Sequence, residues 1–330
     1  MKVSVVIPSY NHARFLPTTL ESVLRQTHRD WELLFIDDGS TDDSLEVASR
    51  YSDSRIQIHQ NPENLGTYGT LNKGIDLASG DLIAVLNSDD FWLPEKLERQ
   101  VSLLSKHPEA SFSYTLGEVV DDEGRELEDF HQHRDYPREE IQDVLPYLLD
   151  VNQILASSVV FRKGAVRFNP QLRYCGDWVG ALDLALQGPA VFVNEVMSYW
   201  RQHTGNASKQ LLRTMPEEIA VRTAILEQRE LWGGGGGVVE KHLALCALDL
   251  GAHHFLAGAK EAARRCFRQA AELDPTNWTA KKRLLATYLS ESWALRRLWP
   301  EMDHAAFRAA LEKSSRPLDP IRFASAEKKS

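Results

Sequence analysis

Three tetrapeptides hold the residues most able to do chemistry: Pro8-Ser9-Tyr10-Asn11, Asp37-Asp38-Gly39-Ser40 and Asn87-Ser88-Asp89-Asp90. Each lies just past an apolar run, Val3–Ile7, Trp31–Ile36 and Leu82–Leu86. Runs of this kind read as strands buried on both faces, and a doubly wound sheet binds its ligand at the carboxyl ends of such strands. Leaving unpaired carboxylates there costs several kcal/mol per ion. They call for a cation, or for hydrogen-bond donors on a ligand. Oxygen-rich clusters suit Mg²⁺ or Mn²⁺ held by one or two carboxylates plus substrate phosphates. Any single Asp also reads as a turn or a helix cap, and for Asp42 and Asp43 that reading is preferred. Three such strand ends together favour the ligand.

The elements that must position these groups follow from periodicity. Strands are expected at 3–7, 31–36, 55–59 and 82–86. Helices are expected between them, over 15–27 with Thr18 and Glu21 spaced as a capping box, over 43–51 capped by Asp42, and around 68–78. Pro94 is placed at the first position of a further helix. This alternation predicts an α/β domain with a doubly wound, mostly parallel sheet and right-handed crossovers. Further strands are expected at 111–120, 158–162 and 190–194, with helices at 178–187 and 211–231. The segment 121–143 holds ten carboxylates and three arginines and reads as solvated surface or as a lid.

Five consecutive glycines, 233–237, read as a flexible linker between a domain at 1–232 and a helical one at 238–330. The second domain resembles a tetratricopeptide repeat through Leu250-Gly251, Gly258, Ala263, Phe267, Ala270 and Pro275, with a partial second repeat reaching Leu284 and Tyr288. It is read either as a helical hairpin packed on the main domain or as a module for a protein partner.

The chain has 330 residues and a formal charge of −9. Residues 1–237 hold 22 basic and 36 acidic side chains, whereas 238–330 hold 16 and 11. No apolar run approaches the roughly 18 residues that span a bilayer, and the apolar stretch before Pro8 is too short for a signal peptide. Cys175, Cys246 and Cys266 are too far apart for a disulfide framework or a C-x-x-C metal site. The chain therefore reads as cytoplasmic, with peripheral contact at the inner membrane face left open to the basic C-terminal region. The acidic balance argues against a nucleic-acid partner.

Seven motifs, in order over about 1–210, resemble family 2 glycosyltransferases of the GT-A fold: IPSYN (7–11), IDDGSTDDS (36–44), NLG (64–66), LNKGI (71–75), GDLIAVLNSDDFWLP (80–94), CGDWVGALDLALQG (175–188) and YWRQHTGNAS (199–208). The resemblance implies a nucleotide-diphospho-sugar donor and a saccharide or lipid-linked saccharide acceptor. It implies nucleotide contacts from Pro8, Ser9, Tyr10, Asn11, Asp38, Asn72, Asn87 and Ser88. Tyr10 would stack on the base and Asp38 would accept from its N–H. Asn87-Ser88-Asp89 stands at the family's DxD motif, so Mn²⁺ or Mg²⁺ is implied on Asp89 and Asp90, with His203 near the metal or diphosphate. Asp177 matches the catalytic base of an inverting transfer. Two departures stand out. Asn87 replaces the first Asp of DxD, which implies a weaker metal site, and Gly176 replaces the Glu that many members carry before the base.

Competing classes lack their signatures. No Walker A and no G-x-G-x-x-G is present, and the loop after the first strand, PSYNHARFLP, has none of the glycine of a nucleotidyltransferase loop. The alternative from another class is a catalytically inactive, nucleotide-sugar-binding scaffold acting through its C-terminal helices. Trp92, Trp178 and Trp200 could stack on sugar, although core packing is the preferred reading.

Overall fold

The computed structural model describes residues 1–127, 136–203, 211–233, 237–288, 295, 302–314 and 318–323. The described chain divides into two compact units, 1–144 with 153–206, and 145–152 with 207–330.

The first unit opens with β1 (Val3–Ser9), α1 (Leu16–Leu24), β2 (Trp31–Asp37), α2 (Ser44–Ser49), β3 (Ile56–Gln60), α3 (Gly66–Leu77) and β4 (Leu82–Val85). A short β5 (Phe91–Trp92), α4 (Lys96–Lys106), β6 (Phe112–Val120), β7 (Ile141–Gln142), β8 (Val160–Arg162), α6 (Gly176–Ala185) and β9 (Ala190–Arg201) follow, α5 (Leu145–Leu148) lying in the other unit. The sheet runs β3-β2-β1-β4-β8-β6-β9-β5, with β7 also paired to β9. β1 to β4 pair in parallel, as alternation with helices requires, whereas β8 is antiparallel to both β4 and β6. The fold is α/β of the GT-A type.

Strand alternation divides β1 between two helical layers. Val3, Val5 and Ile7 join Leu16, Leu20 and Val23 of α1 and Leu97, Val101 and Leu104 of α4 in one core. On the opposite face, Gly74 of α3 lies so close to the sheet that a Cβ there would come within 2.2 Å of a Val6 methyl. A glycine at that position lets the α3 backbone approach β1.

Local details differ from the sequence expectation. The Thr18–Glu21 capping box does not form: α1 starts two residues earlier, with Phe15 at its N-cap and Pro17 in its first turn. Asp42 accepts from Ser44 N and from Ala13 N, so it ties α2 to the loop after β1. Pro94 lies two residues ahead of α4. β9 runs on to Arg201, well past 194, and this extension places His203 immediately beyond its end. Residues 128–135 of the acidic segment lie outside the described residues.

The second unit is helical: α7 (Leu211–Glu227), α8 (Gly237–Leu256), α9 (Lys260–Leu273), α10 (Trp278–Ala286) and α11 (His304–Ser314). The division near 206 differs from the boundary expected at 233–237. The cause is that α7 packs on α8 and α11 and so belongs with the helices. Of the glycine run, 234–236 lie outside the described residues. Buried Arg222 donates to Asp150 O, and Asp150 also meets His242, which binds the 145–152 segment to these helices. In the α8–α9 pair Gly251 admits the Phe267 ring, with Ala263 and Ala270 buried beside it. Tyr288 is exposed.

Candidate active site

β2, β1 and β4 lie side by side, so the loops after their carboxyl ends converge. Asn11 adopts a left-handed backbone (φ 56°), which Asn tolerates better than most residues. Its N–H donates to Ser40 Oγ at 2.9 Å and its Oδ1 accepts from Thr41 N at 2.7 Å. Asn11 thus pins the first loop to the second, and Tyr10 beside it stands out at 47% exposure. Pro8 and Ser9 are buried.

The two aspartates after β2 have different surroundings. Asp37 accepts from Ser40 N through Oδ2, while its buried Oδ1 and the buried Ser9 Oγ have no partner among the described residues. Asp38 faces the start of α3. Its Oδ1 accepts from Asn61 Nδ2 and Leu65 N at 2.7 and 2.8 Å, and its Oδ2 accepts from Gly66 N at 2.9 Å. The carboxylate therefore holds the NLG turn and supplies acceptors to the first N–H groups of the helix, as an orphan helix terminus requires. Asn72 lies within α3 and is buried. Its amide grips the Phe168 backbone from both sides, donating to O at 2.7 Å and accepting from N at 3.0 Å.

Beyond β4, adjacent carboxylates take opposite roles. Asp90, expected as a metal ligand, is fully buried. Its Oδ1 accepts from Arg201 N at 3.0 Å and its Oδ2 from Ser157 Oγ and Asn87 Nδ2. Burial, reinforced by the neighbouring Asp89 charge, pushes its carboxyl well above the usual carboxylate range. Asp89 instead turns to His203, with Oδ2 and Nε2 3.1 Å apart. Arg201 Nε donates to Asp89 O, which fixes the backbone between the two. Ser88 Oγ meets His12 Nδ1 at 2.7 Å. One ligand atom each from His12, Asp89 and His203 lie within 4.8 Å of one another. That set, two imidazoles and a carboxylate, has the chemistry of a divalent-metal site.

Asp177 sits in the first turn of α6, where an acidic side chain is favoured by the helix dipole. Its Oδ1 accepts from Trp178 N at 2.9 Å and from Tyr68 Oη at 3.4 Å. Tyr68 also explains Gly176. A Cβ at 176 would stand 2.5–2.7 Å from three atoms of the Tyr68 ring, so no larger residue fits while the ring is there. Trp92 and Trp178 are buried, and the Trp92 indole donates to Ser157 O, in keeping with the core reading.

The loops after β1 and β4 and the end of β9 thus bring His12, Ser88, Asp89 and His203 together, with Tyr10 and Asn11 in the first of these loops, whereas Asp90 is buried and Asn72, on α3, bonds to the Phe168 backbone. His12, Tyr68, Ser157 and Arg201 escaped the sequence reading. His12 was legible in principle, as a metal-capable residue adjoining Asn11 in the first loop. Tyr68 had only its position two residues past the NLG turn.

Residues 4–163 match the model of Glycosyl transferase family 2. The chain carries a family 2 glycosyltransferase domain. Among curated proteins it is 41% identical over 118 residues to the Escherichia coli UDP-Glc:alpha-D-GlcNAc-diphosphoundecaprenol beta-1,3-glucosyltransferase WfgD, covering 36% of this chain and 46% of that one. It is 36% identical over 130 residues to the Bacillus subtilis putative teichuronic acid biosynthesis glycosyltransferase TuaG, covering 39% and 51%. The chain thus spans about half the length of these curated relatives. The fold is similar to that of S. aureus TarS residues 1–349 in complex with UDP-GlcNAc, with a TM-score of 0.67 at 16% identity over 90% of this chain and 92% of that one. It also resembles mannosyltransferase PcManGT from Pyrobaculum calidifontis in complex with GDP-Man and Mn²⁺, at TM-score 0.58 and 17% identity over 95% and 85%.

Proposed function

We propose that the domain moves a sugar from a nucleotide-diphospho-sugar to a hydroxyl of a glycan or lipid-linked glycan of cell-surface polysaccharide synthesis, inverting the anomeric centre. The observation that carries this reading is the meeting of Asp89 and His203 at the end of β4, in the loop where the DxD-like motif stands. The uridine nucleotide of the TarS complex and the UDP-glucose in the name of WfgD favour a UDP-sugar. The lipid-linked acceptor in the WfgD name supports an acceptor at a membrane surface. No described helix is long and apolar enough to cross a membrane, which fits peripheral access to such an acceptor.

Tyr10 offers an open ring face for the base, and Asp38 Oδ2 keeps acceptor capacity for a base N–H beside its bond to Gly66. Ser88 and Asn87 border the ribose and diphosphate. Asp89 and His203 hold Mn²⁺ or Mg²⁺, which when bound neutralises the leaving diphosphate as a Lewis acid. Asp177 takes the proton of the acceptor hydroxyl as it attacks the anomeric carbon opposite the diphosphate. The helices of the second unit serve a partner protein or a membrane face. The scaffold alternative rested on Asn87 and Gly176, and for Gly176 the Tyr68 ring supplies a packing reason.

A thermal-shift screen of UDP-, GDP- and dTDP-sugars with Mn²⁺ tests the reading. A specific donor at a hundredfold excess over its Kd stabilises by about 2.7 kcal/mol, and the product's anomeric configuration by NMR reports inversion. Stabilisation by none of the three classes refutes it, and binding without turnover favours the scaffold.

A further inference from the structure

We infer that His12 is a third protein ligand of the metal, and that the resulting two-imidazole, one-carboxylate centre takes transition-metal dications in preference to Mg²⁺. The inference rests on the metal site proposed above and extends it with a residue from a different loop. Three observations carry it. First, a ring nitrogen of His12 lies within 4.8 Å of ligand atoms of both Asp89 and His203, a spacing one cation can bridge with small side-chain shifts. Second, the ring is held: Ser88 Oγ lies 2.7 Å from Nδ1, and the Phe15 and His203 rings flank it at centroid distances of 6.0 and 5.6 Å. Ligand imidazoles commonly have their other nitrogen fixed in this way, which leaves Nε2 for the cation. Third, the loop after β4 cannot supply a second carboxylate. Asn87 stands where an Asp would, and Asp90 is buried against Ser157 and the Arg201 backbone.

The consequence for metal choice is chemical. Mg²⁺ demands oxygen ligands in near-octahedral geometry, and a site with one carboxylate offers few. Imidazole nitrogen suits Mn²⁺ poorly among transition metals, but Co²⁺ and Zn²⁺ well, and all three accept it more readily than Mg²⁺ does. The order of affinity for the chain without nucleotide is then Zn²⁺ above Co²⁺ above Mn²⁺, with Mg²⁺ last.

The test uses the full chain and metal ions alone. Titrations of Zn²⁺, Co²⁺, Mn²⁺ and Mg²⁺ are followed by calorimetry for the wild type, His12→Gln and Asp89→Asn. Loss of a ligand should weaken Co²⁺ and Mn²⁺ binding by about tenfold or more in His12→Gln, on the scale by which even supporting residues tune metal affinity. Mg²⁺ binding should change far less. Electron spin echo modulation of Cu²⁺ bound to the wild type needs no variant and counts coordinated imidazoles, two being expected. A single imidazole, or unchanged Co²⁺ and Mn²⁺ affinity in His12→Gln with loss in Asp89→Asn, overturns the role of His12 while the site on Asp89 and His203 stands. Unchanged binding in both variants overturns the site itself.

Discussion

The two ends of the central sheet both bury carboxylates, and they treat them differently. At the amino end, Glu32 of β2 accepts from Ser4 Oγ and Ser79 N, both at 2.6 Å, from Ser79 Oγ, and from Lys2 Nζ at 2.9 Å. Burial by itself would raise its pKa, but the donors from Ser4, Ser79 and Lys2 outweigh it and bring it down to about 2. At the carboxyl end, Asp37 Oδ1 and Ser9 Oγ are buried without a partner among the described residues, and Asp89 meets a histidine. A saturated carboxylate stabilises the fold, because every lone pair is matched before any ligand arrives. Carboxylates left short of donors lower stability and keep affinity for a cation. The contrast separates acid groups that hold the fold from those proposed to meet a ligand.

The contrast breaks most readily at the carboxyl end. Asp177→Asn should lower transfer by about 10²–10⁴-fold, the range of a lost general base, while calorimetry shows nucleotide affinity near wild type. Loss of nucleotide binding instead would assign Asp177 to the donor rather than to the proton. Next in size, Asp89→Asn should remove the dependence of donor binding on metal, and donor affinity measured with Mn²⁺ should fall to the level measured with a chelator. Neither substitution should lower the melting temperature appreciably, since Asn keeps an oxygen acceptor in the place of each carboxylate and, for Asp177, toward Trp178 N. A drop of several degrees in either variant would erase the distinction between the two ends.

The amino end should show the reverse. Glu32→Gln is expected to cost about 2 kcal/mol of stability at neutral pH, below the ~3 kcal/mol that the full pKa displacement implies, because Gln retains one acceptor. Because the folded-state pKa lies below the ordinary 4.5, this stabilisation is complete above that value and is lost as pH falls toward 2. Denaturant melts between those limits should fall more steeply with acid for wild type than for Glu32→Gln, with transfer at neutral pH unchanged. Parallel curves would mean that the donor cluster does not lower the Glu32 pKa in solution.

How much of this was legible in the sequence depends on the range of each interaction. The parallel strands were readable because Val3–Ile7, interrupted only by Ser4, and Leu82–Val85 are apolar runs, and periodicity is a local property. The strand ends were readable as a class, because polar tetrapeptides after such runs have few structural uses. Their individual roles were not. Asp89 and Asp90 are adjacent and identical in type, and only Ser157 and Arg201, far along the chain, decide which of them is buried. The antiparallel β8 and the long β9 were also hidden, because pairing partners are chosen by tertiary packing and not by local pattern. Gly176 looked like a defect in a motif, yet it answers a ring 108 positions earlier on α3.

That ring gives the smallest expected effect and the finest division of the comparison. Tyr68 lies on the helix whose first turn Asp38 holds, and its hydroxyl reaches Asp177 at 3.4 Å, the outer limit of a useful hydrogen bond. A hydrogen bond of good geometry to an ionised group contributes about 1.5–3 kcal/mol, and one this long should contribute less. Tyr68→Phe keeps the ring against Gly176 and removes only the hydroxyl. If the phenol orients Asp177 as the proposed base, turnover should fall by about two- to fivefold, with donor KM and melting temperature unchanged. A melting shift with intact turnover would place Tyr68 with Glu32, among the groups that serve stability. A loss of a hundredfold or more would mean that the phenol itself handles the proton, and the base would then be a Tyr–Asp pair rather than Asp177 alone.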